Sequence, residues 1–207
     1  RGVARECRLA EESPRLVRLV TALTGAPVEI DDLSALDSDD LIECGSTVVY
    51  LAGHLYLPAR MRPCESAARN RALYHLMAVC AAAHTAWKGF SCLHGRPGFA
   101  SAADRAGPLT LLFVIGEHAR VLDAMRRQWP GTASLLAFGW EQFTRAVAPA
   151  GAADRLAREC LAAVVNGTAP AGPAARRLLD CVTGAPDADS ALQRIETAAG
   201  DGTLDVS

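Results

Sequence analysis

Residues 46–58 differ from the rest of the chain in their hydrophobic pattern, because they favour strands over helices. The segment reads STVVYLAGHLYLP, with β-branched and aromatic residues on both sides of Ala52-Gly53 and Pro58 at its end. This arrangement predicts a β-hairpin that turns at Ala52-Gly53. His54 begins the second strand, and we expect it to have a structural rather than a catalytic role.

From Glu65 onward the apolar residues recur at helical spacing. A helix of roughly 20 residues is predicted to run to Trp87, and another to begin at Pro108 and end before Pro130-Gly131. The pattern therefore predicts a mainly α fold of about six to eight helices, with a small β-hairpin near 46–58. Further helices are predicted at 132–147, 151–165, 173–183 and 188–199.

The length of 207 residues fits one mainly helical domain that spans residues 1–207. Residues 168–174, TAPAGPA, are the best candidate for a hinge. The same segment also fits an ordinary turn between two helices, because proline and glycine punctuate both kinds of connection.

The predicted helix at 65–87 contains two histidines and a cysteine within an apolar run. His75 and His84 are nine residues apart, so they lie on opposite sides of a helix. They cannot chelate one ion in the way that an H-E-x-x-H pair can. The residues that share one face at helical spacing are predicted to form its core side: Leu73, Leu76, Met77, Cys80, His84 and Trp87.

Composition and charge narrow the classes of partner. The chain has 21 basic and 23 acidic residues, and Lys88 is the only lysine. This balance does not favour a nucleic-acid partner, because phosphate binding needs an excess of basic residues.

The longest apolar run, 109–116, is too short to span a bilayer. The seven cysteines form no C-x-x-C pair and indicate free thiols in a reducing compartment, the cytoplasm.

The candidate metal and nucleophile sites are all incomplete. Cys92 and His94 offer two zinc ligands, but no second pair with matching spacing supplies the other two. As a catalytic dyad they lack an evident orienting carboxylate. The acidic segment DDLSALDSDD at 31–40 lacks the glycine of a calcium loop and suggests a solvated loop or the frayed start of a helix. The sequence contains no phosphate-binding loop motif, so we expect no cofactor and no catalytic residue.

Glu117 and Arg120 lie three residues apart, directly after the apolar run LLFVIG. On a helix they share one side, where a forked contact would neutralise both charges. This spacing predicts an internal ion pair that fixes neighbouring helices. A functional carboxylate at Glu117 is the alternative.

Four segments, in order, resemble a known protein region: GAPVEIDD, HLYLP, NRALYHLMAVCAAAH and VIGEHARVLDAMRRQWPG. They are similar to the region that precedes the von Willebrand A domain in nitric-oxide-reductase activation proteins and in rubisco-activase adaptors. The resemblance covers about residues 17–165. Its matching positions are Leu57, Pro58, Asn70, Leu73, Tyr74, Glu117, Arg120, Pro130 and Gly131.

The resemblance implies a non-catalytic interaction module of an adaptor that works with a MoxR-type AAA+ ATPase on a client enzyme. It also implies a degenerate zinc-peptidase scaffold without a bound metal. Tyr74 and His75 would then lie near the vacated metal site, and Glu117 near the remaining third ligand. The chain departs from the family at His118, where an acidic residue is frequent, and the A domain itself is absent from these residues. The interaction candidates are Asn70, Tyr74, His75, Glu117 and Arg120.

Two alternatives come from other classes of function. The first is a zinc-binding protein or a Cys/His-based enzyme that uses Cys92, His94, His84 and Glu117. The second is a helical scaffold protein of a GC-rich virus, which the composition allows equally well.

Overall fold

The computed structural model describes residues 6–36, 49–51, 53–89, 108–146, 149 and 151–204. The described residues confirm a mainly α fold, with seven α-helices, five short strands and two 3-10 turns, Leu33–Ala35 and Pro130–Thr132. The strands are β1 (Cys7–Arg8), β2 (Glu29–Asp32), β3 (Val49–Leu51), β4 (His54–Leu57) and β5 (Arg60–Met61). The helices are α1 (Leu9–Thr24), α2 (Ala67–Ala86), α3 (Pro108–Gln128), α4 (Ala133–Ala146), α5 (Ala152–Asn166), α6 (Pro173–Val182) and α7 (Ala188–Gly200).

The predicted hairpin is confirmed and is part of a larger sheet. Strands β3 and β4 are antiparallel, and Gly53 adopts a φ of 91° in the turn between them. Glycine reaches this left-handed region without a steric penalty. Strand β2 pairs in parallel with the other side of β4, so the sheet order is β2-β4-β3. Asp31 and Asp32 therefore belong to a strand, whereas the sequence pattern suggested a loop or the frayed start of a helix.

Residue contacts divide the chain into two compact units, Arg1–Ala86 and Trp87–Ser207. The hinge candidate at 168–174 lies inside the second unit, between α5 and α6. That all 207 residues act as one domain stays a prediction.

In the first unit, helices α1 and α2 pack together beside the strands. Strand β1 pairs with β5, and the backbone N–H of Leu9 donates to the carbonyl of Ala59 at 2.9 Å. The start of α1 is thereby held next to the segment that follows β4. The fully buried apolar residues of this unit come from both helices and from β4: Leu16, Val20, Leu55, Leu57, Tyr74, Ala78, Ala82 and Ala83.

The prediction for the core side of α2 was wrong. Its buried residues are mostly alanines together with Asn70 and Tyr74. In an alanine-rich helix the apolar period is weak, and small side chains allow the closest approach of a neighbouring backbone. The larger residues of the predicted face are only partly buried: Leu73, Leu76, Met77, Cys80, His84 and Trp87.

The second unit is built around α3, which contacts α5, α6 and α7. Gly116 lies on the contacting side of α3, where a Cβ atom would be 2.9 Å from Val182 Cγ1 and 3.2 Å from Ile195 Cδ1. The backbone of α3 thus approaches the neighbouring helices more closely than any larger residue would allow. The surrounding core includes Leu112, Phe113, Ile115, Cys160, Leu178, Val182, Leu192, Ile195 and Leu204.

Candidate functional site

Asn70 and Tyr74 hold the beginning of α2 against the preceding loop. The Asn70 side-chain amide accepts from the Cys64 N–H at 2.9 Å and donates to the Cys64 carbonyl at 3.2 Å. The Tyr74 hydroxyl donates to the Pro58 carbonyl at 2.6 Å. Both side chains are fully buried, and burial raises the pKa of Tyr74 far above its usual value. Tyr74 therefore stays a protonated hydrogen-bond donor, and both residues act on the backbone of their own chain.

His75 lies beside a buried carboxylate that the sequence pattern did not single out. Glu12, on α1, is only 1% exposed and accepts a hydrogen bond from Arg71 Nε at 2.6 Å. Its other oxygen, Oε2, is 3.7 Å from Arg15 Nη1 and 4.0 Å from His75 Nε2. Neither Glu12 Oε2 nor His75 Nε2 has a hydrogen-bond partner. Burial lowers the pKa of His75, and the nearby Glu12 opposes this effect only in part.

Glu12 had a signal in the sequence. Leu9, Glu12, Leu16 and Val20 recur at intervals of three and four residues and form the buried side of α1. An acidic residue within such an apolar stripe needs a cationic partner, because an unpaired buried charge is strongly unfavourable. Arg71, the partner, comes from α2, and its proximity could not be seen along the chain.

Glu117 and Arg120 form the forked contact that their spacing predicts. Arg120 Nε donates to Glu117 Oε2 at 2.8 Å, and Nη2 donates to Oε1 at 2.7 Å. The same Nη2 also donates to the Trp87 carbonyl at 2.8 Å. Glu117 is fully buried and Arg120 is 4% exposed, so the pair is shielded from water. It ties α3 to the backbone at the start of the second unit, where Trp87 packs on Trp129.

The residues named by the resemblance fall in both units. Asn70, Tyr74 and His75 belong to the first, and Glu117 and Arg120 to the second. Their common position at a vacated metal site therefore stays a prediction. Cys92 and His94 lie outside the described residues.

The cysteines that the structure describes are free thiols: Cys7, Cys64, Cys80, Cys160 and Cys181. Burial raises the pKa of the Cys160 thiol to about 12, and the pKa values of Cys7, Cys64 and Cys181 are also raised by burial. A raised pKa removes the thiolate that acts as nucleophile or metal ligand. The raised pKa values favour the protonated form of these four thiols in the folded protein.

Three polar side chains meet on one face of the small sheet. The parallel pairing places Glu29 opposite His54, and Asp31 lies two residues further on the same face. His54 Nδ1 is 3.2 Å from Asp31 Oδ2 and 3.6 Å from Glu29 Oε2. One ligand atom from each residue lies within 4.8 Å of the other two. The sequence pattern does not reveal this trio, because nothing local in it predicts the pairing of β2 with β4.

An aromatic patch, formed by Trp140, Phe143 and Arg158, lies on α4 and α5 in the second unit. The rings of Trp140 and Phe143 are 5.8 Å apart, and Arg158 Cζ is 4.9 Å from the Phe143 ring centre. Phe143 is 43% exposed. A large aromatic ring that remains accessible beside an arginine is typical of a protein-binding surface.

No family model matches the chain, and no significant similarity to a curated protein or to a solved structure is found. Within the part of the chain that the structure describes, no helix has the length and apolar character needed to cross a membrane.

Proposed function

We propose that the chain is a non-catalytic protein-interaction module of an activator or adaptor, which works with a MoxR-type AAA+ ATPase on a client enzyme. The observation that carries the proposal is the aromatic patch. Tyrosine, tryptophan, phenylalanine and arginine are enriched where proteins bind one another, and a ring left accessible offers apolar area for a partner to bury. Phe143, with Arg158 over its ring, provides such an anchor.

The use of the candidate residues within the fold also supports a non-catalytic role. Asn70 and Tyr74 bond to backbone groups, and both oxygens of Glu117 accept from Arg120. Groups that are already bonded to their own chain serve architecture rather than a reaction. ATP hydrolysis would belong to the partner, because this sequence has no phosphate-binding loop motif.

The proposed location is the reducing cytoplasm. The five described cysteines are all free, which suits a compartment where disulfides do not persist.

The test is a pull-down from the native source with the wild-type protein and two matched variants. Phe143→Ala removes the exposed ring, while Leu111→Ala removes an apolar side chain of similar exposure, 42%, from α3. The proposal expects a P-loop ATPase with the wild type and with L111A, and at least a tenfold weaker capture by F143A. If F143A captures the ATPase as strongly as the wild type does, the aromatic patch is excluded as the binding surface. Reproducible absence of any ATPase would exclude the adaptor role.

The two alternatives predict other outcomes, the first in the same pull-down and the second in a metal or activity measurement. A viral scaffold protein would be recovered with other viral components and without an ATPase. A zinc-binding or Cys/His-based enzyme would lose its metal or activity on substitution of Cys92 or His94.

A further inference from the structure

We propose that Glu29, Asp31 and His54 form a binding site for a divalent transition-metal ion of the zinc type. Two carboxylates and one imidazole would supply three ligands, leaving a fourth position for water or another ligand. The site is independent of the aromatic patch and of Cys92 and His94.

The spacing of the donor atoms fits one shared ion. With zinc–nitrogen and zinc–oxygen bonds of about 2.1 Å, neighbouring ligand atoms of a tetrahedral site are about 3.4 Å apart. The distances from His54 Nδ1 are 3.2 Å to Asp31 Oδ2 and 3.6 Å to Glu29 Oε2. An ion could therefore bind with only small side-chain movements. The ligands also stand on two strands that are hydrogen-bonded to one another, so their backbones are already fixed in position.

The charges around the trio are the second argument. Several acidic side chains elsewhere in this arginine-rich chain pair with arginines, as Glu6 does with Arg62, Glu117 with Arg120 and Asp123 with Arg127. Glu29 and Asp31 instead share the imidazole of His54. Among the residues that the structure describes, these two carboxylates face one imidazole and form no ion pair with an arginine, so negative charge remains even when the histidine is protonated. A bound dication would neutralise it.

The chemistry of the donors selects the kind of ion. Imidazole nitrogen suits zinc and the other later transition metals, whereas magnesium and calcium prefer sites made only of oxygen. His54 is 39% exposed and the Asp31 side chain 46%, so an ion can reach the site from solvent. We expect zinc to bind well ahead of magnesium.

The experiment is a calorimetric titration of tag-free, chelator-treated protein with zinc, followed by magnesium. The wild type should bind zinc, and His54→Ala and Asp31→Asn should each weaken the binding that depends on this site at least tenfold. Glu196→Gln and His118→Ala, which alter an exposed carboxylate and an exposed histidine of the second unit, should leave it unchanged. Circular dichroism of each variant verifies that the fold is retained.

Cysteines elsewhere in the chain need a separate control. Cobalt in place of zinc gives a strong thiolate charge-transfer absorption when a cysteine binds it, and the proposed site contains no thiol. We expect the wild type to bind cobalt without that absorption. The cobalt binding should be lost in H54A and retained in Cys92→Ser. Zinc binding that survives in both H54A and D31N would overturn the proposal. Loss in C92S alone would assign the ion to the alternative Cys92–His94 site.

Discussion

The side-chain amide of Asn70 forms two hydrogen bonds with the backbone of Cys64, one to its N–H and one to its carbonyl. Because an amide both accepts and donates, a single side chain satisfies two backbone groups just before α2 begins. This contact explains why a polar residue lies fully buried on the core side of that helix.

Replacing Asn70 by alanine should lower the free energy of unfolding by about 2–3 kcal/mol, because it removes two buried hydrogen bonds to the backbone of Cys64. Urea denaturation measures the change. Asn166→Ala, which alters an exposed asparagine at the end of α5, is the matched control and should have a small effect. Equal losses in the two variants would contradict the role assigned to Asn70.

Tyr74→Phe removes only the hydroxyl that donates to the Pro58 carbonyl. We expect a loss of about 1–2 kcal/mol in unfolding free energy, since the packing of the ring is kept while a partly buried carbonyl loses its donor. Tyr56→Phe makes the same chemical change on β4, at a side chain that is only partly buried. A larger effect at Tyr56 than at Tyr74 would refute this prediction.

Breaking the Glu117–Arg120 pair should be costly, because either single substitution leaves one charge buried. Glu117→Leu or Arg120→Met alone should destabilise the protein by about 3–5 kcal/mol, and the double variant should recover a large part of that loss. A double-mutant cycle from chemical denaturation measures the coupling. The exposed Glu141–Arg145 pair on α4 is the comparison, with an expected coupling below about 1 kcal/mol.

Gly116→Ala tests the close approach of α3 to its neighbours. The new Cβ would overlap Val182 Cγ1 at 2.9 Å, and overpacking should outweigh the gain in helix propensity by about 1–2 kcal/mol. Thermal unfolding gives the comparison with Gly200→Ala, where a Cβ meets no atom within 4 Å. A stabilised G116A variant would show that the neighbouring helices can separate without loss.

The stability of the first unit should depend on pH through His75. Burial lowers the pKa of this histidine in the folded state, so the unfolded chain binds a proton more readily than the folded one. Above about pH 6.5, the ordinary pKa of histidine, His75 is neutral in both states and the folded protein keeps its full stability. As the pH falls from there toward the lowered pKa of the folded state, protonation favours the unfolded chain and the free energy of unfolding decreases.

His75→Gln should flatten this part of the profile of unfolding free energy against pH. Denaturation of the wild type and H75Q at several pH values between about 7 and 5 measures the difference. An identical slope for the two proteins would show that His75 does not contribute to the pH dependence of the unfolding free energy. The other ionisable groups are present in both proteins, so the difference between the two profiles isolates His75.

The ends of the helices could be predicted because their signals are local. Pro108 begins α3, and its last residue, Gln128, comes two residues before Pro130. Gly167, with a φ of 65°, caps α5. Gly53 likewise has the positive φ that the hairpin turn requires. Each of these effects acts between a residue and its own backbone or that of near neighbours, so no knowledge of distant contacts is needed.

The candidate site depended on contacts between distant parts of the chain, and the sequence pattern failed there. It placed Leu73 and Met77 on the core side of α2, whereas Asn70 and the alanines are buried. It assigned Asp31 to a loop or a frayed helix start, because nothing nearby indicates that β2 pairs with β4. It named Glu117 and Arg120 correctly as a pair, since three residues on a helix is a local distance.

By itself, the sequence determined where the helices and the hairpin lie and which charged residues within a helix can pair. Propensity, capping and spacing act over a few residues and are written in the chain order. Only the tertiary structure decided which side of α2 is buried, and that Glu12 meets Arg71 and Glu29 meets His54. Those outcomes follow from the packing of elements far apart in sequence, where the area buried and the charges paired depend on which surfaces meet.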